Sequence, residues 1–511
     1  MKKNYLYLFF IILATMFQGC KDDSIVEGAV FSLSRDGQEV TDFSFGYGQG
    51  HLMVALASNT GWTLASDQSW CTLSNVSGKA TKEQYIKITY ERNTGEQARK
   101  ATITMNAGGN IKQYVVTQGS KYDTIYPEGM EKDAIEVAKS IDIGWNLGNT
   151  LEAPDGEDTW GAPHTTQAII DKVKEMGFNA VRIPCAWNQP QYLEPDGKTL
   201  KADWLNRVKE VVDFCLNADM YAIVNIHWDG GWLERSCDAS ALTADSIATV
   251  EAKVYDFWEQ IATAFRDYDG RLLFAGANEP AVANREDMAV LRRYEQAFVN
   301  AVRDTGGNNT YRNLIVQGPD TNIDKTYDWF ELPEDPTPAR LMVEVHYYTP
   351  YNFCINDPSS DLAASMTYFW GEPYEQYALE YMDGKFDYDN QEGYVHNQMN
   401  KMKTKFVDLG VPVIIGEFGL AYRVYESDPL LEDYKNYDKI LANMDMLQEK
   451  CEESEGYFLG YVAEQAKNYG CVPFLWDIQG ARFFDRNTLS IIVPVIHQML
   501  MDGAANGQYP Y

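Results

Sequence analysis

The chain has 511 residues, more than one ordinary domain needs, and length alone suggests roughly two to four. Its hydrophobic fraction of 45% is that of a globular protein with apolar material for a large core. With 43 Lys+Arg against 74 Asp+Glu the net charge is −31. Such a chain repels phosphates instead of releasing their counterions, which excludes nucleic acid and disfavours polyanionic glycans. A neutral polysaccharide stays compatible, and the 12 Trp and 33 Tyr offer flat faces on which sugar rings can stack.

At the N-terminus, Lys2 and Lys3 precede an apolar run from Tyr5 to Phe17, the form of an export signal and too short for a comfortable membrane span. The run ends in Phe17-Gln18-Gly19-Cys20, which resembles a bacterial lipoprotein cleavage box. That resemblance implies cleavage before Cys20 and a diacylglycerol on its thiol. Lys21-Asp22-Asp23 resembles the acidic tract of Bacteroidetes surface lipoproteins. Residues 1–19 are therefore expected to be a signal peptide and 20–25 a lipidated tether, making the chain an outer-membrane lipoprotein that faces the cell surface. The other seven cysteines, at 71, 185, 215, 237, 354, 451 and 471, have no zinc-like spacing and are odd in number. They read as core thiols.

Residues 26–118 have the pattern of an all-β module. Alternating runs such as His51–Leu56, Tyr85–Tyr90, Ala101–Met105 and Tyr114–Thr117 are separated by turn signals, the spacing of an immunoglobulin-like sandwich. Asn59-Thr60-Gly61-Trp62, Ser69-Trp70-Cys71 and the closing Val115-Val116-Thr117-Gln118 resemble the BACON module of Bacteroidetes carbohydrate enzymes. The module's name implies carbohydrate binding; a spacer is the favoured reading, with Trp62 and Trp70 in the core. The polar stretch 119–129 reads as a linker.

From 130 to 511, strand-like apolar runs alternate with helical patterns. The strands are expected at Ile141–Leu147, Ala180–Pro184, Ala222–His227, Leu272–Asn278, Leu314–Gly318, Leu341–Tyr347, Val411–Glu417 and Val472–Trp476. Helices are expected at Thr166–Met176, Ala202–Leu216, Ser246–Arg266 and Met288–Val302, among others. Eight strand–helix units are the count of an α/β (β/α)8 TIM barrel. An open doubly wound sheet is the rival, but Gly144-Trp145-Asn146-Leu147-Gly148-Asn149 lacks the third glycine of a dinucleotide fingerprint.

A barrel of this kind presents its chemistry at the C-terminal strand ends. Those positions read Asn146, Arg182, His227, Asn278-Glu279, His346 with Tyr348, Glu417 and Trp476; strand five ends blandly at Gln317-Gly318. A carboxylate ending a buried strand is costly unless partnered or exposed in a cleft, and here there are two. Strands four and seven lie across the barrel mouth, leaving room for a sugar between Glu279 and Glu417.

With Asn278-Glu279-Pro280 and Gly416-Glu417-Phe418-Gly419 in place, the region from Glu131 to Tyr511 resembles glycoside hydrolase family 5. The resemblance implies that Glu279 is the general acid/base and Glu417 the nucleophile of a retaining glycosidase. It further implies that Arg182 holds Glu417 ionised, Asn278 binds the sugar 2-hydroxyl, Tyr348 hydrogen-bonds the nucleophile and His346 fixes the acid/base. His227 would contact the sugar in the −1 subsite and Trp476 would be its stacking floor. Asn146 completes the supporting set. Trp160, Trp228 and Trp232 are candidate subsite aromatics; His164 and Glu344 receive no role. Gly144–Asn149, Thr159-Trp160-Gly161 and Val345–Tyr351 most resemble subfamily 4, rich in endo-β-1,4-glucanases, xyloglucanases and mixed-linkage glucanases. One departure is His227-Trp228, where many relatives read His-His.

The expected function is endo-cleavage of β-1,4-glucosidic linkages in plant cell-wall β-glucans (cellulose, mixed-linkage glucan or xyloglucan) by double displacement. An endo-β-1,4-mannanase is the alternative within the same fold, and a non-catalytic surface glycan-binding protein the alternative outside enzymology. Two carboxylates supply all the chemistry, so no metal or organic cofactor is expected, and the chain is expected to act as a monomer.

Overall fold

The structure, a computed structural model, describes residues 28–35, 38–120 and 126–511. The expected signal peptide 1–19, the tether 20–25 and the lipidation site Cys20 lie outside the described residues. The chain divides into two compact units at Ile125/Tyr126. Among the described residues no helix is long and apolar enough to cross a membrane, and the seven cysteines are buried free thiols.

In the first unit, ten strands form two five-stranded sheets among the described residues. They are β1 (Phe31–Arg35), β2 (Gln38–Glu39), β3 (Asp42–Phe45), β4 (Gly50–Ser58), β5 (Trp62–Ser66), β6 (Cys71–Leu73), β7 (Ser77–Gly78), β8 (Thr81–Tyr90), β9 (Arg99–Ala107) and β10 (Asn110–Gln118). The sheet orders are β2-β1-β4-β8-β6 and β3-β10-β9-β5-β7. Alternate residues of the longer strands face one core, where Val54, Leu56, Ile86, Ile88, Ile103, Met105 and Val116 are fully buried. Trp62 and Trp70 belong to this core, and Arg99 lies 4.2 Å over the Trp70 ring. The Val-Val-Thr-Gln ending has a physical reason. The buried Gln118 amide faces three backbone carbonyls, those of Tyr47, Gly48 and Glu91, and accepts from Arg99 at 2.8 Å. It satisfies loop groups that would otherwise be buried unpaired.

In the second unit, eight parallel strands close into a barrel among the described residues. They are β11 (Gly144–Gly148), β12 (Ala180–Ile183), β13 (Tyr221–Asn225), β14 (Leu272–Ala275), β15 (Leu314–Gln317), β16 (Leu341–Tyr347), β17 (Val413–Phe418) and β18 (Cys471–Ile478). Helices Gln167–Glu175, Ala202–Asn217, Ala244–Ala264, Arg285–Asp304, Ile323–Trp329, Glu392–Lys405, Met444–Asn468 and Pro494–Asn506 follow them in turn. The strands are buried on both faces, as expected of a parallel sheet walled by helices. Tyr126 already belongs to this unit, its ring edge-on to Tyr311 at 5.1 Å. The barrel therefore starts inside the stretch expected to be linker.

Inside the barrel, Ala180, Ile223, Leu273, Ile315, Met342, Ile414, Val472 and Phe474 form one cluster with Ala134, Val137 and Ala138 of the helix Ala134–Ser140. Most of these strand residues lie toward the starts of their strands, so the helix closes the N-terminal mouth. Its start is fixed by a capping box between Asp133 and Glu136. Gly144 is required here, because a Cβ would sit 2.0 Å from the Phe474 ring. The expected first strand, Ile141–Leu147, starts later because Ile141 caps this helix. Segments after β16 and β17 pack on each other through a separate cluster that includes Met366, Tyr368, Phe369, Tyr425 and Tyr434.

Candidate active site

The strand ends bring the expected residues together around one guanidinium. Arg182 on β12 is fully buried. Its Nη1 donates to Glu417 Oε1 at 2.9 Å and to Asn146 Oδ1 at 3.0 Å, and its Nη2 donates to Asn278 Oδ1 at 2.8 Å. Its Nε lies 2.9 Å from Glu344 Oε1. A rigid fork of donors can hold four partners in this way; a lysine could not. Asn146 in turn donates to the Gly416 and Leu475 carbonyls at 2.9 and 3.1 Å. Fully buried, it braces Arg182 and has no face left for a ligand.

Glu417 receives a donor on each oxygen, Arg182 on Oε1 and the Tyr348 hydroxyl on Oε2 at 3.0 Å. The pairing of β17 with β16 and with β18 shifts register around Gly416 and Glu417, re-aiming this carboxylate. Glu279 stands opposite, just beyond β14. Its Oε1 is 2.7 Å from His346 Nδ1, and its side chain is 45% exposed, open to the cleft. One oxygen of each carboxylate and a ring nitrogen of His346 all lie within 4.8 Å of one another.

His346 is buried with both nitrogens facing carboxylates, Glu279 at 2.7 Å and Glu344 at 3.3 Å, and Glu417 is 3.6 Å away. Burial opposes its charge, but the Glu417 charge and the two hydrogen bonds outweigh this and push it up to about 10. The ring is therefore an imidazolium at neutral pH. Glu279, His346 and Glu417 are the cluster among the described residues close enough to share a cation.

Burial raises Glu279, yet the His346 hydrogen bond and the His346 and Arg182 charges leave it below the usual carboxylate range. Burial and the neighbouring carboxylates push Glu417 up, against His346 and Arg182. Two cations face three carboxyls, counting Glu344, so one proton on the carboxyls makes the cluster neutral. The carboxyls titrate as a unit, and the donors decide where the proton rests. In the unliganded site both Glu417 oxygens accept from donors, Arg182 and Tyr348, while Glu279 faces His346.

Around this centre, His227 is buried beside Asn225, and burial holds its pKa well below the ordinary value, leaving a neutral ring. Its ring lies parallel to Trp476, centroids 5.8 Å apart. Beyond Tyr348 and Trp476 opens a cleft of about 490 Å³, walled by Ile355, Leu420, Tyr422 and Arg482. The three candidate subsite aromatics separate. Trp160 is 45% exposed on the loop after β11. Trp228 is half-buried under Arg235, at 4.5 Å. Trp232 instead packs on Phe257, is covered by Lys253 at 4.3 Å and donates to Asp229 Oδ2 at 2.8 Å. It serves the loop's packing more than a cleft face.

Three residues were not legible as site members. Gln317, read as a bland strand end, bridges the site: its Oε1 accepts from Ala277 N–H at 2.7 Å and its Nε2 donates to Glu344 Oε2 at 2.7 Å. β14 ends at Ala275 and not at Asn278: the last backbone bond to β15 is from Gly276 N–H to the Ile315 carbonyl at 2.9 Å, and Ala277 N–H goes to the Gln317 side chain instead. Glu344 is the fully buried counter-ion of both Arg182 and His346. Glu234, in the loop after β13, accepts from Asn278 Nδ2 and from Glu279 N–H, both at 3.0 Å. The inward parity of Glu344 with His346 was a signal; Glu234 sits in no motif.

Known proteins share this arrangement of chain and fold. Residues 60–119 match the BACON family of N-terminal domains. The xyloglucan-specific endo-β-1,4-glucanase of Bacteroides ovatus is 30% identical over 504 residues, covering 94% of this chain and 92% of that protein. A solved Bacteroides ovatus family 5 xyloglucanase, in complex with a XXXG heptasaccharide, superposes with a TM-score of 0.65 at 29% identity, covering 93% of this chain and all of the other. A xyloglucan-specific β-1,4-glucanase from a ruminal metagenomic library, bound to XXLG, gives 0.64 at 38% identity over 74% of this chain and 98% of its own. With residues 142–481 matching the cellulase family as well, the barrel and its paired glutamates belong to glycosyl hydrolase family 5.

Proposed function

We propose that the chain is a retaining endo-β-1,4-glucanase of plant cell-wall β-glucans, with xyloglucan its foremost substrate. The observation that carries the chemistry is the carboxylate pair: oxygens within 4.8 Å fit direct attack and leave no room for the water an inverting enzyme places between its carboxyls. Glu417, kept ionised by Arg182 and Tyr348, attacks the anomeric carbon as Glu279 gives its proton to the departing glycosidic oxygen. Seating a neutral glycan covers the open face of Glu279 and strips the water that favours its ionised form, so the proton is held until the bond breaks. Glu279 then takes a proton from water, whose oxygen displaces Glu417 and restores the free carboxylate. Asn278, Nδ2 toward Glu234 and Oδ1 held by Arg182, presents its edge to the 2-hydroxyl, and the Trp476 ring floors the −1 sugar.

The xyloglucan preference is supported by the similar proteins and by the cleft beyond Trp476, whose apolar wall could take a branch. The N-terminal motif supports lipidation of Cys20 and display at the cell surface, and the buried tryptophans support a spacer role for the sandwich. A test is reducing-end release and viscosity loss on xyloglucan, barley β-glucan, carboxymethylcellulose and glucomannan, with the product anomer followed by NMR. Early viscosity loss on β-glucans with β-anomer product is expected. Release from mannan alone would replace the glucan assignment, and no release from any glycan would remove catalysis. Cys20→Ala should move the protein from the membrane to the soluble fraction.

A further inference from the structure

Glu234 is 6% exposed in the loop after β13. Its Oε1 accepts from Asn278 Nδ2 and Glu279 N–H at 3.0 Å each, and its backbone carbonyl accepts from Ala281 N–H at 2.8 Å. From the opposite side, Asp320 Oδ1 accepts from Val282 N–H at 2.9 Å, and Asp320 N–H donates to the Pro280 carbonyl at 2.8 Å. The turn 278–282 is thus clamped between two loops, and the Glu279 end is attached through one side chain.

We propose that Glu234 is a positioning residue for Glu279: it fixes the Asn278–Glu279 peptide, and its negative charge helps keep the proton on Glu279. The inference rests on Glu279 being the acid/base. The groups that face Glu279 are His346, Arg182 and Glu417 from β16, β12 and β17, and the Thr321 hydroxyl beyond β15. Two of these are cations that draw the proton away. Glu234 acts in the opposite sense, since a nearby like charge disfavours ionisation. Its own carboxyl is pushed up to about 7, by burial first and then by the Glu279 and Glu417 charges. The clamp is therefore charged or neutral according to pH around neutrality. A bond to the peptide of a reacting residue also sets its position, and small displacements there cost large factors in rate.

The test is Glu234→Gln and Glu234→Ala on the full chain, read with cello-oligosaccharide aryl glycosides of poor (phenyl) and good (2,4-dinitrophenyl) leaving ability. Gln keeps an acceptor for both N–H groups but removes the charge. The alkaline limb of kcat/KM on the phenyl glycoside should move to lower pH by about half a unit or more. Ala removes the clamp as well, so the phenyl glycoside should lose roughly tenfold or more while the dinitrophenyl glycoside, which needs no acid, loses far less. An unmoved alkaline limb in the Gln variant would overturn the proposal, and that variant decides even if Ala does not fold. Equal losses on both leaving groups in a folded Ala variant would also overturn it. Glu279→Ala separates the two assignments: if it shows no leaving-group discrimination, the acid/base reading itself fails.

Discussion

Glu344 occupies the space that a side chain on Gly416 would need: a Cβ there would lie 1.9 Å from Glu344 Oε1. The glycine before the nucleophile thus lets a buried carboxylate reach Arg182. Gly416→Ala must displace Glu344 from Arg182 and His346. Overpacking costs about 1–3 kcal/mol, and the disturbed buried ion pair adds to it. A fall in melting temperature with at least about a tenfold loss of kcat is expected in thermal unfolding and polysaccharide assays.

Arg182→Lys keeps the charge and loses the fork. A single ammonium cannot reach Glu417, Glu344, Asn146 and Asn278 together, and at least two buried acceptors lose their donor. Destabilisation of about 2 kcal/mol or more is expected by denaturant titration. The reaction on polysaccharide should slow by about 100-fold or more, since both Glu417 and Asn278 shift.

The carboxylates predict different losses. Glu417→Gln should lower turnover by about 10,000-fold or more on every substrate, as for other covalent nucleophiles, while calorimetry still detects xyloglucan oligosaccharide binding. Glu279→Gln should be severe on polysaccharide and mild in the first step with a dinitrophenyl leaving group. Substantial turnover by Glu417→Gln would refute its assignment.

How much of this was legible in the sequence follows from the physics of each position. β16 could be read residue for residue from its strand-like pattern, with Glu344 and His346 buried inside it alongside its apolar members. Glu279, Arg182 and Glu417 stood out as charges after apolar runs. Gln317 did not, since a neutral amide at a strand end has no desolvation penalty conspicuous enough to flag it. Glu234 was hidden for a different reason: it reaches the site through a loop, and loop geometry leaves no periodicity. Trp232 and Trp160 look alike in sequence, and only the neighbours Phe257 and Lys253 separate them.

The raised pKa of His346 links the site to stability. A group whose folded pKa lies above its unfolded value of 6.5 contributes fully below the unfolded value. That contribution declines as pH rises from about 6.5 and is gone above about 10. Thermal unfolding between pH 7 and 10 should therefore show a steady loss in the native protein, with a flatter profile in His346→Asn. Parallel profiles would show that the imidazolium is not formed.

Trp160 and Trp232 finally separate binding from packing. Trp232→Ala opens a gap between Phe257 and Lys253 and leaves Asp229 short of one of its donors, the others being Asn188 N–H and Gln189 Nε2. A loss of about 2 kcal/mol is expected, below the range for a fully buried tryptophan because the ring is only partly buried. KM on xyloglucan should change little while the loop folds. Trp160→Ala removes an exposed ring with little packing to lose, so the melting temperature should hold. If the ring stacks on the glycan, KM on polysaccharide should rise several-fold with kcat nearly constant, the pattern of lost uniform binding. An unchanged KM would take Trp160 out of the glycan-binding surface.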